Sequence, residues 1–523
     1  MAVAMVTTAV QQTPTIDEPV YVGTGVVNVH EHSLRYNPEH PPLGKLVIGA
    51  GTLFTDVRLD PGFSGDQTAL GRHLLYESGN DPWRLMLWAR LPVIALTLLF
   101  GLVVLAFTRD LVGRAGALTA LALYAFSPDV IAHGSLATLD VPMAGFLLTS
   151  VWLLWRARRR PLRHLPLAGV ALGAAVATKM SALAAVPVLL PLAMVSFWCA
   201  RRAGNPGPLD VRGTVRLLVR GAAAAAGVAL VALAVVWASY LAVDPRLRWT
   251  TPPQVPDLRG LRELAVEWMP FPEPFRDGMR IQFGFEYQRY HGFLFGRHYF
   301  GSLWYYLPVA LLVKTPLGML LLWAAGAMTL VAVRRLRPAA PYLLLPSAVL
   351  LLAAMDGARD FGVRYAVFLP MFLGVAAGCV VAVRGRRRHA VTAALVAWVG
   401  VSSLRTYPFY LPYANEVFGG PARTHHYLHD SNVDWGQDLG RLADRLRTRY
   451  PGERVWLVYK GAGLPSAYGI EASDPRTVDP GRVHGVLAVS DSSAALARGR
   501  LADLLDGSTP VEEVGHSITL YRR

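Results

Sequence analysis

The sequence is dominated by long apolar runs, each close to the ~20 residues that cross a bilayer as one helix. Ten runs are predicted, and they lie at 91–108, 115–132, 140–155, 165–180, 181–200, 220–243, 307–333, 340–356, 363–383 and 389–405. Only 17% of the 523 residues are charged, whereas soluble domains carry about 25%. The chain is therefore predicted to be a polytopic α-helical membrane protein. A soluble enzyme, a disordered regulator and a disulfide-stapled secreted module are excluded.

Basic residues fall in alternate loops between the apolar runs. Their clusters lie at 109–114, 156–163, 201–220, 334–337 and 384–388. Because Lys and Arg concentrate on the cytoplasmic side of a membrane, these loops are predicted to be cytoplasmic and the alternate loops to face outward. The placement of the basic residues, which give the chain its net charge of +15, therefore indicates how the chain is oriented in the membrane. No nucleic-acid partner is expected, since the charges form no single basic face.

Polar and apolar stretches divide the chain into four predicted parts. They are a truncated leader at 1–16, a first extracytoplasmic loop at 17–90 with a membrane-lying helix, a transmembrane domain at 91–405 with a large outer loop at 244–306, and an extracytoplasmic soluble domain at 406–523. In the last part, short apolar runs predict strands at 455–459, 486–489 and 517–521. This part is predicted to be a small α/β domain.

Four ionisable residues lie where predicted spans meet the outer membrane boundary. They are Asp140, Lys179, Lys314 and Arg364. Charged groups at this depth are costly, so they indicate a functional site unless each one only reaches out to the headgroups. Lys314, beside Pro316, is interpreted as such an interfacial anchor. A lipid-linked phosphate would place its anion at this depth, where the other cations can bind it and stabilise it as a leaving group.

An ordered set of short motifs runs through nearly the whole chain. The motifs are Asp17-Glu18, Asn37–Lys45 with His40-Pro41-Pro42-Leu43 inside it, Thr138–Pro142, Ala177–Lys179, Trp304–Tyr306, Leu312–Pro316, Gly362–Tyr365 and Asp430–Leu439. In this order they resemble the GT-C glycosyltransferases, specifically the bacterial relatives of the dolichyl-phosphate-mannose protein mannosyltransferases (glycosyltransferase family 39). The resemblance implies a GT-C-like membrane fold. It also implies an inverting transfer of mannose or a similar hexose from a polyprenyl-phosphate donor, on the extracytoplasmic side of a bacterial plasma membrane.

The resemblance also predicts a difference at the N-terminus. Members of the family begin with a transmembrane helix before the acidic pair, whereas 16 residues precede Asp17 here. Two explanations stay open: the start codon is assigned too late, or this chain lacks the first family helix, which bears on the delivery of Asp17 to the outer face.

By this resemblance Asp17 is the general base that takes the proton of the acceptor hydroxyl. Glu18 is expected to complete the catalytic pair, and Asp140 to orient the acceptor or support the base. These acidic residues have a structural alternative, because Asp and Glu also cap helices and suit the first helical turn.

The same resemblance suggests which residues hold the substrates. Lys45, Lys179 and Arg364 are the candidates for binding the donor phosphate. Glu39 and His40 are expected to contact substrate or to have a structural role. A single acidic residue beside a histidine is a poor metal signature, so no metal ion is predicted.

Two further regions carry candidate residues. In the outer loop, His291 is a candidate for substrate contact, although most aromatic residues there fit an interfacial belt. In the tail, a group of His and Asp residues could suggest a metal cluster. Asp434 is instead interpreted as the cap of a helix that carries a leucine stripe, Leu439, Leu442 and Leu446.

Two other functions stay open at this point. A transporter or flippase of lipid-linked saccharides would explain the cations, but it would not need an outer acidic pair, and inverted repeats would be expected. A catalytically inactive relative that binds lipid-linked sugars is the other alternative. The acceptor, whether a protein hydroxyl, a cell-wall glycan or a lipid, is equally open.

Overall fold

The structure, a computed structural model, describes residues 1–204, 207 and 210–523. It is mostly helical. The α-helices are α1 (Ala2–Gln11), α2 (Glu18–His30), α3 (Pro42–Thr52), α4 (Gln67–Arg72), α5 (Pro82–Val112), α6 (Arg114–Ala125), α7 (Pro128–Gly134), α8 (Asp140–Ala157), α9 (Pro161–Thr178), α10 (Val186–Gly204), α11 (Val211–Val243), α12 (Leu261–Glu267), α13 (Glu273–Glu286), α14 (Tyr306–Lys314), α15 (Leu317–Ala332), α16 (Ala340–Met355), α17 (Leu369–Gly378), α18 (Arg386–Thr406), α19 (Leu439–Arg449), α20 (Asp491–Ala495) and α21 (Arg500–Asp506). The strands are β1 (His291–Leu294), β2 (Arg297–Phe300), β3 (Val455–Val458), β4 (Ala472–Ser473), β5 (Val486–Ser490), β6 (Thr509–Val514) and β7 (Ile518–Arg522).

All ten predicted apolar runs contain helix, but their lengths differ. Within the described residues, four helical segments are long and apolar enough to cross a membrane, and six are if each of two bent pairs counts as one span. The four are Pro82–Val112, Met180–Gly204, Val211–Val243 and Arg337–Met355. The bent pairs are α6 with α7, at 59°, and α14 with α15, at 118°. The sharper bend falls at Thr315-Pro316, because a residue before proline disfavours the helical conformation.

Short side chains let the membrane helices pack closely. Helix α9 runs against both α8 and α11. A Cβ atom added at Gly169 would stand 2.8 Å from the Val228 carbonyl oxygen, and one at Gly173 would stand 2.5 Å from that of Ala232. Because a larger side chain at either position would push the helices apart, these glycines set the spacing between α9 and α11.

The C-terminal region forms the predicted small α/β domain. Its five strands are ordered β4-β3-β5-β7-β6, with β3 parallel to β4 and β5, and with β7 antiparallel to both of its neighbours. Strands β3, β5 and β7 correspond to the three apolar runs that were predicted to be strands. Strands β3 and β5 are buried in the sheet. The leucine stripe of α19 packs against one face of the sheet.

The interpretation of Asp434 as a helix cap is wrong. Helix α19 begins only at Leu439. Between them Gly436 has a φ of +89°, which turns the chain away from a helix. The Asp434 carboxylate accepts hydrogen bonds from the backbone N–H groups of Gly436 at 3.1 Å and Ser492 at 3.2 Å.

The interpretation of Lys314 as an interfacial anchor is also wrong. The bend after α14 leaves this side chain in the interior, with 1% of its surface exposed. Its Nζ donates hydrogen bonds to the carbonyl oxygens of Leu411 at 2.5 Å and Asn432 at 2.7 Å. Lys314 therefore joins the membrane helices to the segment that leads into the C-terminal domain.

Asp491, at the start of α20, is a buried carboxyl group of the C-terminal domain. Its Oδ1 accepts a hydrogen bond from the Thr519 hydroxyl at 2.8 Å, and its Oδ2 has no hydrogen-bond partner among the described residues. Burial raises the pKa of Asp491 to about 7, and the nearby Asp434 carboxylate acts in the same direction. The folded state therefore keeps a proton on Asp491 between about pH 4 and pH 7, where the unfolded chain has lost it.

This proton makes the stability of the domain depend on pH. The contribution of Asp491 to stability is greatest at low pH and is lost as the pH rises from about 4 to 7, because over this range the unfolded chain releases the proton that the folded state keeps. Between pH 5 and 8 we expect a loss of about 3 kcal/mol of unfolding free energy. Asp491→Asn, which stays neutral, should remove this component when thermal unfolding of the purified full chain is followed across that range. Equal pH slopes in the two proteins would contradict the assignment.

Candidate active site

Asp17 and Arg364 form a charged pair between segments far apart in the sequence. Asp17 immediately precedes α2, and Arg364 lies in the 3-10 turn Val363–Ala366. The Arg364 Nη1 atom donates to the Asp17 Oδ2 atom at 2.5 Å. The Arg364 side chain is buried, while 28% of the Asp17 side chain is exposed. The carboxylate is thus held by a buried cation and still open on one side.

Two cavities meet at this pair. We call the larger, of about 480 Å³, the polar cavity, and the smaller, of about 310 Å³, the apolar cavity. The residues that line both are Asp17, Tyr21, His40, Gln282, Arg359, Arg364 and Tyr365. Because Asp17 lines both, its carboxylate can reach a molecule in either cavity.

The polar cavity lies between the first loop, the outer loop and the C-terminal domain. Residues that line this cavity alone include Glu39, Asn37, Gln67, Tyr290, His291, His429, Asp430, Trp435 and Lys460. The Glu39 carboxylate accepts from the Gln67 amide at 2.6 Å, and Lys460 pairs with Asp430. Carboxylates, amides and aromatic faces together are suited to bind a ligand with several hydroxyl or amide groups.

The apolar cavity also has charged residues in its lining, among them Asp140 and Lys179. There the Lys179 Nζ atom lies 2.5 Å from the Asp140 Oδ1 atom. Its apolar lining includes Met143, Met180, Ala184, Met279, Leu350 and Phe368. A cavity lined both by cations and by methionine and aliphatic side chains fits a molecule with an anionic head and an apolar tail.

Glu18 does not share the environment of Asp17. It is completely buried, and its carboxylate accepts two hydrogen bonds from the Arg90 guanidinium, at 2.8 and 2.6 Å. Backbone N–H groups of Thr15 and Ala137 also donate to it. Burial alone would raise the pKa of Glu18, but Arg90 and these hydrogen bonds outweigh it and leave the pKa below its usual value. Glu18 lines neither cavity, so the catalytic role expected of it does not fit this geometry, and its role is structural.

Lys45 is likewise placed away from the cavities. Only 3% of its surface is exposed, and its Nζ donates to the carbonyl oxygens of Asn37 and His40, both at 2.7 Å. Burial lowers the pKa of Lys45 to about 7, against the opposing effect of Glu39. Lys45 thus fixes the loop that carries Glu39 and His40. This geometry does not fit the donor-phosphate contact expected from the sequence.

The other candidate residues are brought together around the two cavities. Burial, together with Lys179 and Lys45, lowers the pKa of His40 well below its usual range, so its ring is neutral at pH 7. His291, at the start of β1, stacks near Phe300 with ring centroids 4.8 Å apart. Both histidines line the polar cavity.

Sequence reasoning missed several cavity residues. Arg359 and Tyr365 line both cavities, and Lys179 lies over the Tyr365 ring. Trp435 packs against the Arg364 guanidinium and Lys460 belongs to the C-terminal domain, and both line the polar cavity. Lys460 could have been singled out from the sequence, since the chain has only four lysines. Trp435 lies inside a recognised motif, but its partner is distant in sequence.

A metal site would need several ligating side chains close together. Across 1–204, 207 and 210–523, no group of three or more His, Cys, Asp or Glu side chains is arranged to hold a metal ion. In the tail, Asp430 pairs with Lys460, and Asp434 accepts hydrogen bonds from backbone N–H groups.

Part of the chain matches a known protein family. Residues 29–242 match the family described as dolichyl-phosphate-mannose-protein mannosyltransferase. This segment is a domain of that family. The mannosyltransferase-family domain contains Asp140 and Lys179 of the apolar cavity, while Asp17 and Arg364 lie outside the matched segment. The resemblance read from the motifs is thereby confirmed.

This chain is similar to several solved structures. ArnT from Cupriavidus metallidurans bound to undecaprenyl phosphate is 16% identical, with a TM-score of 0.48, over 99% of this chain and 96% of that one. The S. cerevisiae protein O-mannosyltransferase Pmt1-Pmt2 complex bound to the sugar donor is 17% identical, with a TM-score of 0.36, over 47% and 33%. The Archaeoglobus fulgidus oligosaccharyltransferase is 13% identical, with a TM-score of 0.41, over 86% and 58%. No curated protein matches the sequence.

Proposed function

We propose that this chain is an inverting glycosyltransferase that moves a sugar, mannose or a similar hexose, from a polyprenyl-phosphate donor to an acceptor hydroxyl. The observation that carries the proposal is the position of Asp17, an accessible carboxylate that lines both the polar cavity and the apolar cavity. The mannosyltransferase-family domain supports the donor class. The alternation of arginine clusters supports an extracytoplasmic site.

The donor would occupy the apolar cavity, with its lipid along the methionine and aliphatic lining. Its phosphate would lie between the Lys179 ammonium and the Arg364 guanidinium, which both line this cavity. Both cations are paired with carboxylates of the protein, Asp140 and Asp17. A phosphate can share them, since a guanidinium and an ammonium each offer several N–H donors.

The acceptor would enter from the polar cavity. Asp17 takes the proton of the acceptor hydroxyl as its oxygen attacks the anomeric carbon of the sugar. The bond between that carbon and the phosphate oxygen breaks, and its electron pair remains on the leaving phosphate. Lys179 and Arg364 stabilise this charge. A single displacement from the opposite face inverts the anomeric configuration.

The proposal is tested by transfer of label from polyprenyl-phosphate [³H]mannose to non-lipid product, using membranes that contain the full chain. Lys179→Met should raise the KM for the donor about tenfold, because one charge-assisted phosphate contact is lost. The matched control is Arg405→Met, since Arg405 is exposed at the end of α18 and outside both cavities.

Each alternative has its own result in this assay. Donor binding without transfer from any hexosyl donor would identify an inactive relative. Movement of labelled lipid across the bilayer without transfer would identify a transporter. An unchanged donor KM in Lys179→Met would remove Lys179 from the phosphate site.

A further inference from the structure

The segment Asp430–Asp438 contacts the backbone on both sides of the Asp17–Arg364 pair. On the Arg364 side, the Ser431 hydroxyl donates to the carbonyl oxygen of Phe361 at 2.5 Å. The Asn432 side-chain oxygen accepts from the backbone N–H of Val363 at 3.0 Å. These two contacts fix the turn from which Arg364 projects.

The other half of the same segment holds the chain that leads to Asp17. The backbone N–H of Ile16 donates to the carbonyl oxygen of Trp435 at 3.0 Å, and that of Thr13 donates to the carbonyl oxygen of Gln437 at 2.9 Å. The Thr13 hydroxyl donates to the Gly436 carbonyl at 3.1 Å. One short stretch therefore sets the position of both partners of the pair.

The Trp435 side chain lies directly against this pair. Its ring is 1% exposed, and its centroid is 4.4 Å from the Arg364 Cζ atom. The Arg364 Nε atom is buried without a hydrogen-bond partner among the described residues. The guanidinium is thus held by Asp17, by the Tyr365 hydroxyl, which accepts from Nη2 at 3.4 Å, and by the indole face, which attracts a desolvated cation.

We propose that Trp435 is a positioning residue, which holds the Arg364 guanidinium in register with Asp17 and so makes the C-terminal segment a part of the active site. The inference rests on the proposed function. Its physical basis is that the Trp435 ring packs closer to the Arg364 guanidinium, at 4.4 Å from Cζ to the ring centroid, than the ring of Tyr365 does, at 5.1 Å. Without the ring the guanidinium gains room to tilt, and the carboxylate that it holds moves with it.

The test separates the π-face of Trp435 from its volume. Trp435→Leu keeps an apolar side chain but removes the face, and we expect kcat to fall about 10- to 100-fold with little change in the donor KM. Trp435→Phe retains a smaller face and should recover most of kcat. The matched control is Trp456→Phe, because Trp456 is also fully buried but lies in β3, away from both cavities.

Every outcome decides the inference. Wild-type kcat in Trp435→Leu would overturn it, and so would equal losses in Trp435→Leu and Trp435→Phe, which would indicate packing alone. If the Leu variant does not accumulate, Trp435→Met provides the same comparison with a more adaptable side chain. Absence of sugar transfer by the wild-type chain would instead refute the proposed function, so the two failures are distinguishable.

Discussion

Asp17→Asn is expected to lower the rate of sugar transfer about 10³-fold while the protein folds and accumulates normally. Asparagine has the shape of aspartate but cannot accept the proton of the acceptor hydroxyl, and a positioned general base contributes about 10²- to 10⁴-fold. The effect on folding should be small, because the asparagine amide oxygen can still accept the hydrogen bond from the buried Arg364 and 28% of the Asp17 side chain is exposed. The loss should appear in kcat.

The measurement is labelled transfer at saturating donor, with protein abundance determined in the same membranes. Asp56→Asn is a suitable control, since Asp56 is an exposed carboxylate of the same loop and lines neither cavity. Equal transfer by Asp17→Asn and the wild type would show that another group removes the proton.

The neighbouring acidic residue should behave in the opposite way. Glu18→Gln leaves the Arg90 guanidinium, which is 1% exposed, without its counter-charge. Removing one partner of a buried ion pair costs about 3–5 kcal/mol of unfolding free energy. We expect Glu18→Gln to accumulate poorly and to unfold at a markedly lower temperature.

A double substitution distinguishes this effect from catalysis. In Glu18→Leu combined with Arg90→Met both charges are gone, and most of the lost stability should return, because apolar residues of similar size can replace a buried ion pair. The measurement is thermal unfolding of the purified full chain, with specific activity determined for the folded fraction. A Glu18→Gln protein of normal stability that transfers no sugar would restore the catalytic assignment.

Adjacent residues with such different roles could not be separated by sequence. Successive side chains at the start of a helix point about 100° apart, so Asp17 can face the cavities while Glu18 turns inward. Which of them turns inward is decided by Arg90, 72 residues further along the chain. The sequence indicated an acidic pair, and only the packing around α2 assigned its two members.

The lysines show the same limit. Lys45, Lys179 and Lys314 looked alike as cations near a membrane boundary, but two of them donate to buried backbone carbonyls and one lines a cavity. A lysine reaches a carbonyl or a ligand with equal ease, and the choice depends on which acceptors the bends of the chain bring near it. The turn at Thr315-Pro316, for example, took Lys314 into the interior.

What the sequence determined by itself was local or cumulative. Apolar runs specify membrane helices because the backbone N–H and C=O groups of a helix are paired with one another and none is left exposed to lipid. The apolar strands of the tail likewise specify a buried sheet, in which these groups are paired between strands. The ordered motifs identified the family. The tertiary structure alone decided the site: Arg364 meets Asp17 across 347 residues, and Trp435 meets Arg364 from the C-terminal segment. Such contacts are set by how whole helices pack, and no pattern along the chain encodes them locally.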